Sequence, residues 1–220
     1  MIGKFFERVL HEDEDFAFVK EEKEEKWFKP PPHLLLVAIV FLLALVARMI
    51  VLFLFSDPQN SGPGWYGDVY HHWQIAVLSK EIGFKEGFLR LWDFKGLEFY
   101  WGLMHPLVLI LGFIISGSYS IVIPRMASVI FGSMAITLVF LIVARHFNKK
   151  AAFVSAVFLS LMPVSLFSDT VGMQEPLGLF FLLLGVYLWP VRAGFAGLSW
   201  MLAGMVRSEY WLFGAVLTFT

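Results

Sequence analysis

Apolar residues run in long blocks along this chain, and the polar stretches between them decide what the blocks predict. His33–Phe55 is apolar apart from its first residue and Arg48. At about 1.5 Å per helical residue it is long enough to cross a hydrocarbon layer. Ile121–Ala144 predicts a second span, and Ala151–Phe167 a third that runs back. Pro176–Trp189 returns again, with proline in the first turn, where a helix tolerates it. Phe195–Thr220 is apolar except at Arg207-Ser208-Glu209, which reads as a turn or bend rather than a buried pair within one long helix. His105–Ser116 is apolar but short, so it reads as an interfacial or re-entrant segment, with a sharply shortened transmembrane helix as the competing reading. These lengths predict about five or six membrane segments.

The polar stretches set the orientation. Residues 1–32 carry the mixed run Glu21-Glu22-Lys23-Glu24-Glu25-Lys26 and end at Pro30-Pro31-Pro32, a charged lead-in without the form of a signal peptide. Lys20, Lys23, Lys26 and Lys29 place this lead-in on the cytoplasmic side, and Arg145-His146-Phe147-Asn148-Lys149-Lys150 marks that side again. The module over 33–220 then has a long first outer loop at about 56–119 and a second at about 168–175. Within the first loop, Asp68–Ile82 predicts a helix with Asp68 as its N-cap. Ile75, Val77, Leu78 and Ile82 are expected to face the bilayer, and Arg48 to snorkel to the outer interface.

Composition settles the class. Hydrophobic residues make up 58% of the chain and its mean hydropathy is +0.71, so the expected fold is an all-α, polytopic helical membrane protein. A net charge of −1 indicates no nucleic-acid partner. The absence of cysteine excludes disulfides and thiolate metal sites.

Candidate chemistry gathers in the outer loops. Gly67-Asp68-Val69-Tyr70-His71-His72-Trp73-Gln74 crowds a carboxylate and two imidazoles into a turn or two, with Asp68, His71 and His72 on one helical face. Such a group abstracts a proton, binds a metal or orients a polar substrate; the competing reading is an aromatic belt at headgroup depth. Asp169 and Glu175 bring further acids to the same side, either for a shared base or cation or as a turn cap and a helix start. Arg207, costly within a bilayer, would meet a phosphate beside an outward cavity or else be paired for packing.

Five segments in order resemble the membrane-integral GT-C glycosyltransferases, which use polyprenyl-phosphate-linked sugar donors. They are Gly67-Asp68-Val69-Tyr70-His71-His72; His105-Pro106-Leu107; Arg125-Met126-Ala127-Ser128-Val129-Ile130-Phe131-Gly132 with Ala151-Ala152-Phe153-Val154-Ser155-Ala156 beyond it; Asp169-Thr170-Val171-Gly172-Met173-Gln174-Glu175-Pro176-Leu177; and Arg207-Ser208-Glu209-Tyr210-Trp211. The resemblance implies a GT-C type module with its active site on the non-cytoplasmic face, and Asp68 as the catalytic acid of the first outer loop. It further implies that Tyr70, His71, His72, His105, Arg125, Asp169, Gln174, Glu175, Arg207 and Glu209 bind substrate. In mannosyltransferase-like members the acid acts as a base on the acceptor hydroxyl. In oligosaccharyltransferase-like members it helps to hold Mn²⁺ or Mg²⁺, here through Asp68 and Glu175. Met173 breaks the acidic pair that the metal-using members carry in the second loop, which favours the metal-free form. The expected partners are a polyprenyl-phosphate sugar donor and a glycan, lipid or protein acceptor. The chain is expected to be the N-terminal part of a larger module. The alternative is a non-enzymatic membrane protein, a transporter half or a lipid-binding assembly subunit, although no internal repeat supports a transporter.

Overall fold

The computed structural model describes residues 34–59, 67–83 and 102–219. The charged lead-in at 1–32 and, within the expected first outer loop, residues 60–66 and 84–101 lie outside the described residues. Among the described residues, nine α-helices follow in order: α1 Leu34–Ile50, α2 Asp68–Ile82, α3 Met104–Ser116, α4 Val122–His146, α5 Lys149–Leu161, α6 Pro163–Val171, α7 Glu175–Leu188, α8 Ala193–Gly204 and α9 Glu209–Phe219. A π-helical turn, Val51–Phe55, extends α1.

Leu34–Phe55 and Val122–His146 are long and apolar enough to span a membrane. The chain is an all-helical membrane protein. The expected span over Ala151–Phe167 is instead broken at Met162-Pro163 into α5 and α6, bent by 59°. Proline cannot donate the helical hydrogen bond and clashes with the preceding turn, so it starts a new helix here. Counted as one, the bent pair makes a third span. Met104–Ser116, Glu175–Leu188 and Ala193–Gly204 are shorter apolar helices. The described residues therefore hold fewer full-length spans than the apolar blocks predict.

The core forms where α1, α4 and α5 meet. Leu36, Val40, Ala44 and Arg48 recur every four residues and make the buried stripe of α1. Leu36, Val40 and Ala44 pack on Ile136, Phe140 and Ala144 of α4 and on Ala152 and Ala156 of α5. Alanine at so many contacts lets the backbones approach closely, which is what stabilises helices whose surroundings are as apolar as their side chains. Leu42, Val46 and Phe53 point away from this core.

A second cluster joins α2 to α3. Ile75 and Ala76 pack against Leu109, Ile110 and Phe113, so Ile75 faces protein rather than the expected bilayer. Trp73 Nε1 donates to the Tyr119 carbonyl at 2.9 Å and fixes α2 to the turn before α4. Asp68 is not a cap: Gly67, at φ 81°, holds the N-cap position and Asp68 is the first helical residue. The expected outer loop 168–175 is helical as far as Val171, and Gly172, at φ 98°, ends α6. A Cβ on Gly172 would also meet the Arg125 backbone nitrogen at 3.2 Å, so glycine serves both the left-handed turn and the close approach.

Candidate functional site where three helices begin

Three helices begin with an acid: Asp68 opens α2, Glu175 opens α7 and Glu209 opens α9. Negative charge is favoured there by the unpaired N–H groups of the first turn, so each acid has a local reason for its place. The fold then gathers all three around one cation. Arg207, in the turn between α8 and α9, donates from Nη1 to Glu175 Oε1 at 2.5 Å and holds Asp68 Oδ2 at 3.7 Å. Its Nη2 and Nε donate to the two Glu209 oxygens at 2.9 and 3.3 Å. The Glu209 hydrogen bonds, opposed by partial burial and helped by Glu175, hold the guanidinium above its ordinary pKa. It remains a cation at any working pH. The Asp68 side chain is 35% exposed and that of Glu209 59%, so both are open to a solute.

The turn that carries Arg207 is clamped by α3. Met104 N donates to the Met205 carbonyl at 3.0 Å. Gly102 lies so close beneath that a Cβ would come within 2.1 Å of the same oxygen. The expectation of a turn at 207–209 thus matches the structure, and its position depends on contacts with a segment a hundred residues earlier in the chain.

One helical turn beyond Asp68, His72 is fully buried, and its ring stands edge-on to buried His105 of α3 with centroids 4.8 Å apart. Gln174, buried at the start of α7, is close enough to influence the His72 ring. Burial first, and the neighbouring His105 second, hold His72 well below the usual 6.5. Burial pushes His105 down to about 3. The two imidazoles are therefore neutral, and they fasten the start of α2 to α3 and α7, which sets Asp68 against Arg207.

Of the residues expected at the site, the structure brings together Asp68, His72, His105, Gln174, Glu175, Arg207 and Glu209. Tyr70 is exposed, its ring against His71 and Trp73, and His71 is half-buried. Arg125 Nη1 donates to the Asp57 carbonyl at 2.7 Å and ties the exit of α1 to α4. Asp169 accepts from Arg48 Nε at 2.6 Å inside the bundle. Arg48, expected to snorkel outward, is instead completely buried and also donates to Ser165 Oγ and the Ala44 carbonyl. Its four-residue spacing from Leu36, Val40 and Ala44 is the signal that shows it facing inward. Gly132 makes the room: a Cβ there would lie 2.2 Å from Asp169 Oδ2.

Asp169, Glu175 and Tyr210 border a cavity of about 270 Å³ between α4, α6, α7 and α9, whose apolar wall includes Ile136, Val139 and Leu179. Tyr210 was not among the expected residues; its ring packs against Gly178, where a Cβ would approach to 2.3 Å. A divalent ion shared by Asp68 and Glu175 does not fit this arrangement, because the Arg207 guanidinium lies between the two carboxylates. Among the described residues no three or more His, Asp or Glu are grouped to hold a metal.

Residues 102–208 match the model of the dolichyl-phosphate-mannose-protein mannosyltransferase family. Over that stretch, just under half of its length, this membrane protein is similar to a GT-C type glycosyltransferase family. His105, Arg125, Asp169, Gln174, Glu175 and Arg207 fall within the matched stretch, whereas Asp68, Tyr70, His71, His72 and Glu209 fall outside it. No curated protein and no solved structure matches the chain.

Proposed function

We propose that this GT-C-like membrane protein transfers a sugar from a polyprenyl-phosphate-linked donor to an acceptor hydroxyl, with Asp68 as the base and Arg207 as the phosphate ligand. The observation that carries the reading is the unequal hold of Arg207 on its acids. Glu175 is gripped at 2.5 Å, while Asp68 stands off at 3.7 Å with its side chain a third exposed. The loosely held carboxylate is the one left to accept a proton. The acceptor oxygen attacks the anomeric carbon, the bond from that carbon to the phosphate oxygen breaks, the lipid phosphate leaves with the electron pair, and Asp68 takes the hydroxyl proton. Arg207 and three helix N-termini supply positive potential where the leaving phosphate gathers charge. The cavity beside Glu175 and Tyr210, apolar along Ile136, Val139 and Leu179, suits the lipid part of the donor. Mannose on a polyprenyl phosphate is the first donor to assay, and a hydroxyl-bearing peptide the first acceptor, following the family that 102–208 resembles. The reaction needs no metal, so a chelator leaves the rate unchanged.

The deciding experiment is Asp68→Asn in the full chain. Asparagine keeps the size and removes the charge, and no side-chain capping bond is lost. Transfer is expected to fall by about 10²–10⁴, the worth of a positioned base, with little change in melting. Wild-type turnover would overturn the assignment. The site is further proposed to face the non-cytoplasmic side, away from the basic 145–150 turn. Because the chain has no cysteine, Ser208→Cys and Lys150→Cys give a clean test. An impermeant thiol reagent should label the first in intact cells and the second only after lysis.

A further inference from the structure

The end of the bundle away from the carboxylates is built differently. Two turns meet there, 146–148 between α4 and α5 and 189–192 between α7 and α8. Arg145 joins them: Nη1 donates to the Tyr187 carbonyl at 2.7 Å, and the guanidinium lies 4.1 Å from the Tyr187 ring centroid. Arg192 lies over the Phe195 ring at 5.8 Å, and Lys150 is exposed nearby in sequence, at the start of α5. No acid occurs from Gly102 to Ser168 or from Pro176 to Ser208. Among the described residues, no carboxylate forms an ion pair with Arg145, Lys150 or Arg192, in contrast to Arg48 and Arg207.

Aromatic residues mark the level at which these cations lie. Phe147 and Phe195 are 66% and 56% exposed, and Trp189, also exposed, stacks at 5.3 Å on buried Trp200. Exposed aromatic rings beside cations at helix ends are what a headgroup layer accommodates, with the ring toward the acyl chains and the charge toward phosphate. Stacking on Tyr187 and Phe195 holds the two guanidinium groups in place before any ligand arrives.

We infer that this end binds the phosphates of anionic phospholipid headgroups, with Arg145, Lys150 and Arg192 as the contacting cations. The occupant is a lipid rather than a soluble anion, because the cations are ringed by exposed apolar side chains that need acyl-chain contact. The inference is independent of the catalytic reading.

The test places the full chain in vesicles of phosphatidylcholine with or without phosphatidylglycerol and measures, after extraction, the lipid retained by native mass spectrometry. Wild type should retain phosphatidylglycerol in preference to phosphatidylcholine. Lys150→Gln, which disturbs no observed contact, and Arg145→Gln should each weaken that retention by about fivefold, the worth of one basic side chain at an anionic surface. Arg145→Gln also loses the Tyr187 bond, so Lys150→Gln decides if that variant fails to fold. Equal retention of the two lipids by wild type, or unchanged retention in Lys150→Gln, would overturn the inference. Full displacement of the lipid by inorganic phosphate at matched ionic strength would also overturn it, by showing a simple anion site.

Discussion

Arg48 and Arg207 are both arginines among acids, and they are held in opposite ways. Arg48 is sealed in the bundle with one carboxylate, one hydroxyl and one carbonyl, so its donors are matched to acceptors and no solute reaches it. Arg207 meets three carboxylates, one gripped, one forked and one standing off, with its own side chain 30% exposed. In a closed, matched pair each charge offsets the other's desolvation, so removing either partner alone is costly. An open cation with surplus acids can exchange a partner, and that is what a ligand site requires. Asp169 and Asp68 differ for the same reason: Asp169 is buried and bonded to Arg48, while the Asp68 side chain is a third exposed and stands 3.7 Å from Arg207.

The largest effects come from breaking each arginine in turn. Asp169→Leu leaves a buried guanidinium unpaired and is expected to destabilise the protein by about 3–5 kcal/mol, read as a lower melting temperature in detergent. Adding Arg48→Met to that variant should restore most of the loss. Arg207→Gln should do the reverse, lowering transfer by about 10²–10³, as loss of one preorganised donor does, with melting nearly unchanged. If Arg207→Gln unfolds the chain while Asp169→Leu is tolerated, the contrast is inverted.

Acid should next separate the site from the core. His72 and His105 are neutral in the folded chain, with pKa values depressed by burial. Below the ordinary histidine value of 6.5 the unfolded chain therefore binds more protons than the folded one, and stability falls as pH drops. The loss begins near 6.5 and, for His105, runs to about 3, at up to about 1.4 kcal/mol per pH unit for each imidazole. Replacing both histidines with phenylalanine should flatten this slope in a melting series between pH 7 and 4. An unchanged slope would mean that the pair does not govern how α2 is seated.

The smallest effect concerns Glu209, which fills the outward fork of Arg207. A donor phosphate has to displace it, so Glu209→Gln should lower the donor KM a few-fold, by about the tenths to one kcal/mol of an exposed ion pair, with kcat little changed. A raised KM would show that Glu209 helps to bind the donor rather than competing with it.

The sequence alone was sufficient for the parts that depend on short-range pattern. The apolar blocks identify the spans of α1 and α4, Pro176 marks the start of α7, and Arg207-Ser208-Glu209 marks a turn, because hydropathy, proline and charge act within a few residues of themselves. The acids that open α2, α7 and α9 were visible as candidates on the same local grounds. Which acids share a cation, and which are buried, was not decided there. Only the tertiary structure turns Asp169 inward, because Gly132 leaves space on α4 and Arg48 ends a buried stripe on α1, far away in the chain. Only packing sets His72 against His105, and it takes Met104 on Met205 to seat Arg207 beside Asp68 and Glu175. Local pattern specifies which groups can carry charge. Whether a charge is matched and closed or left open to a ligand depends on contacts between segments a hundred residues apart, which no window along the chain contains.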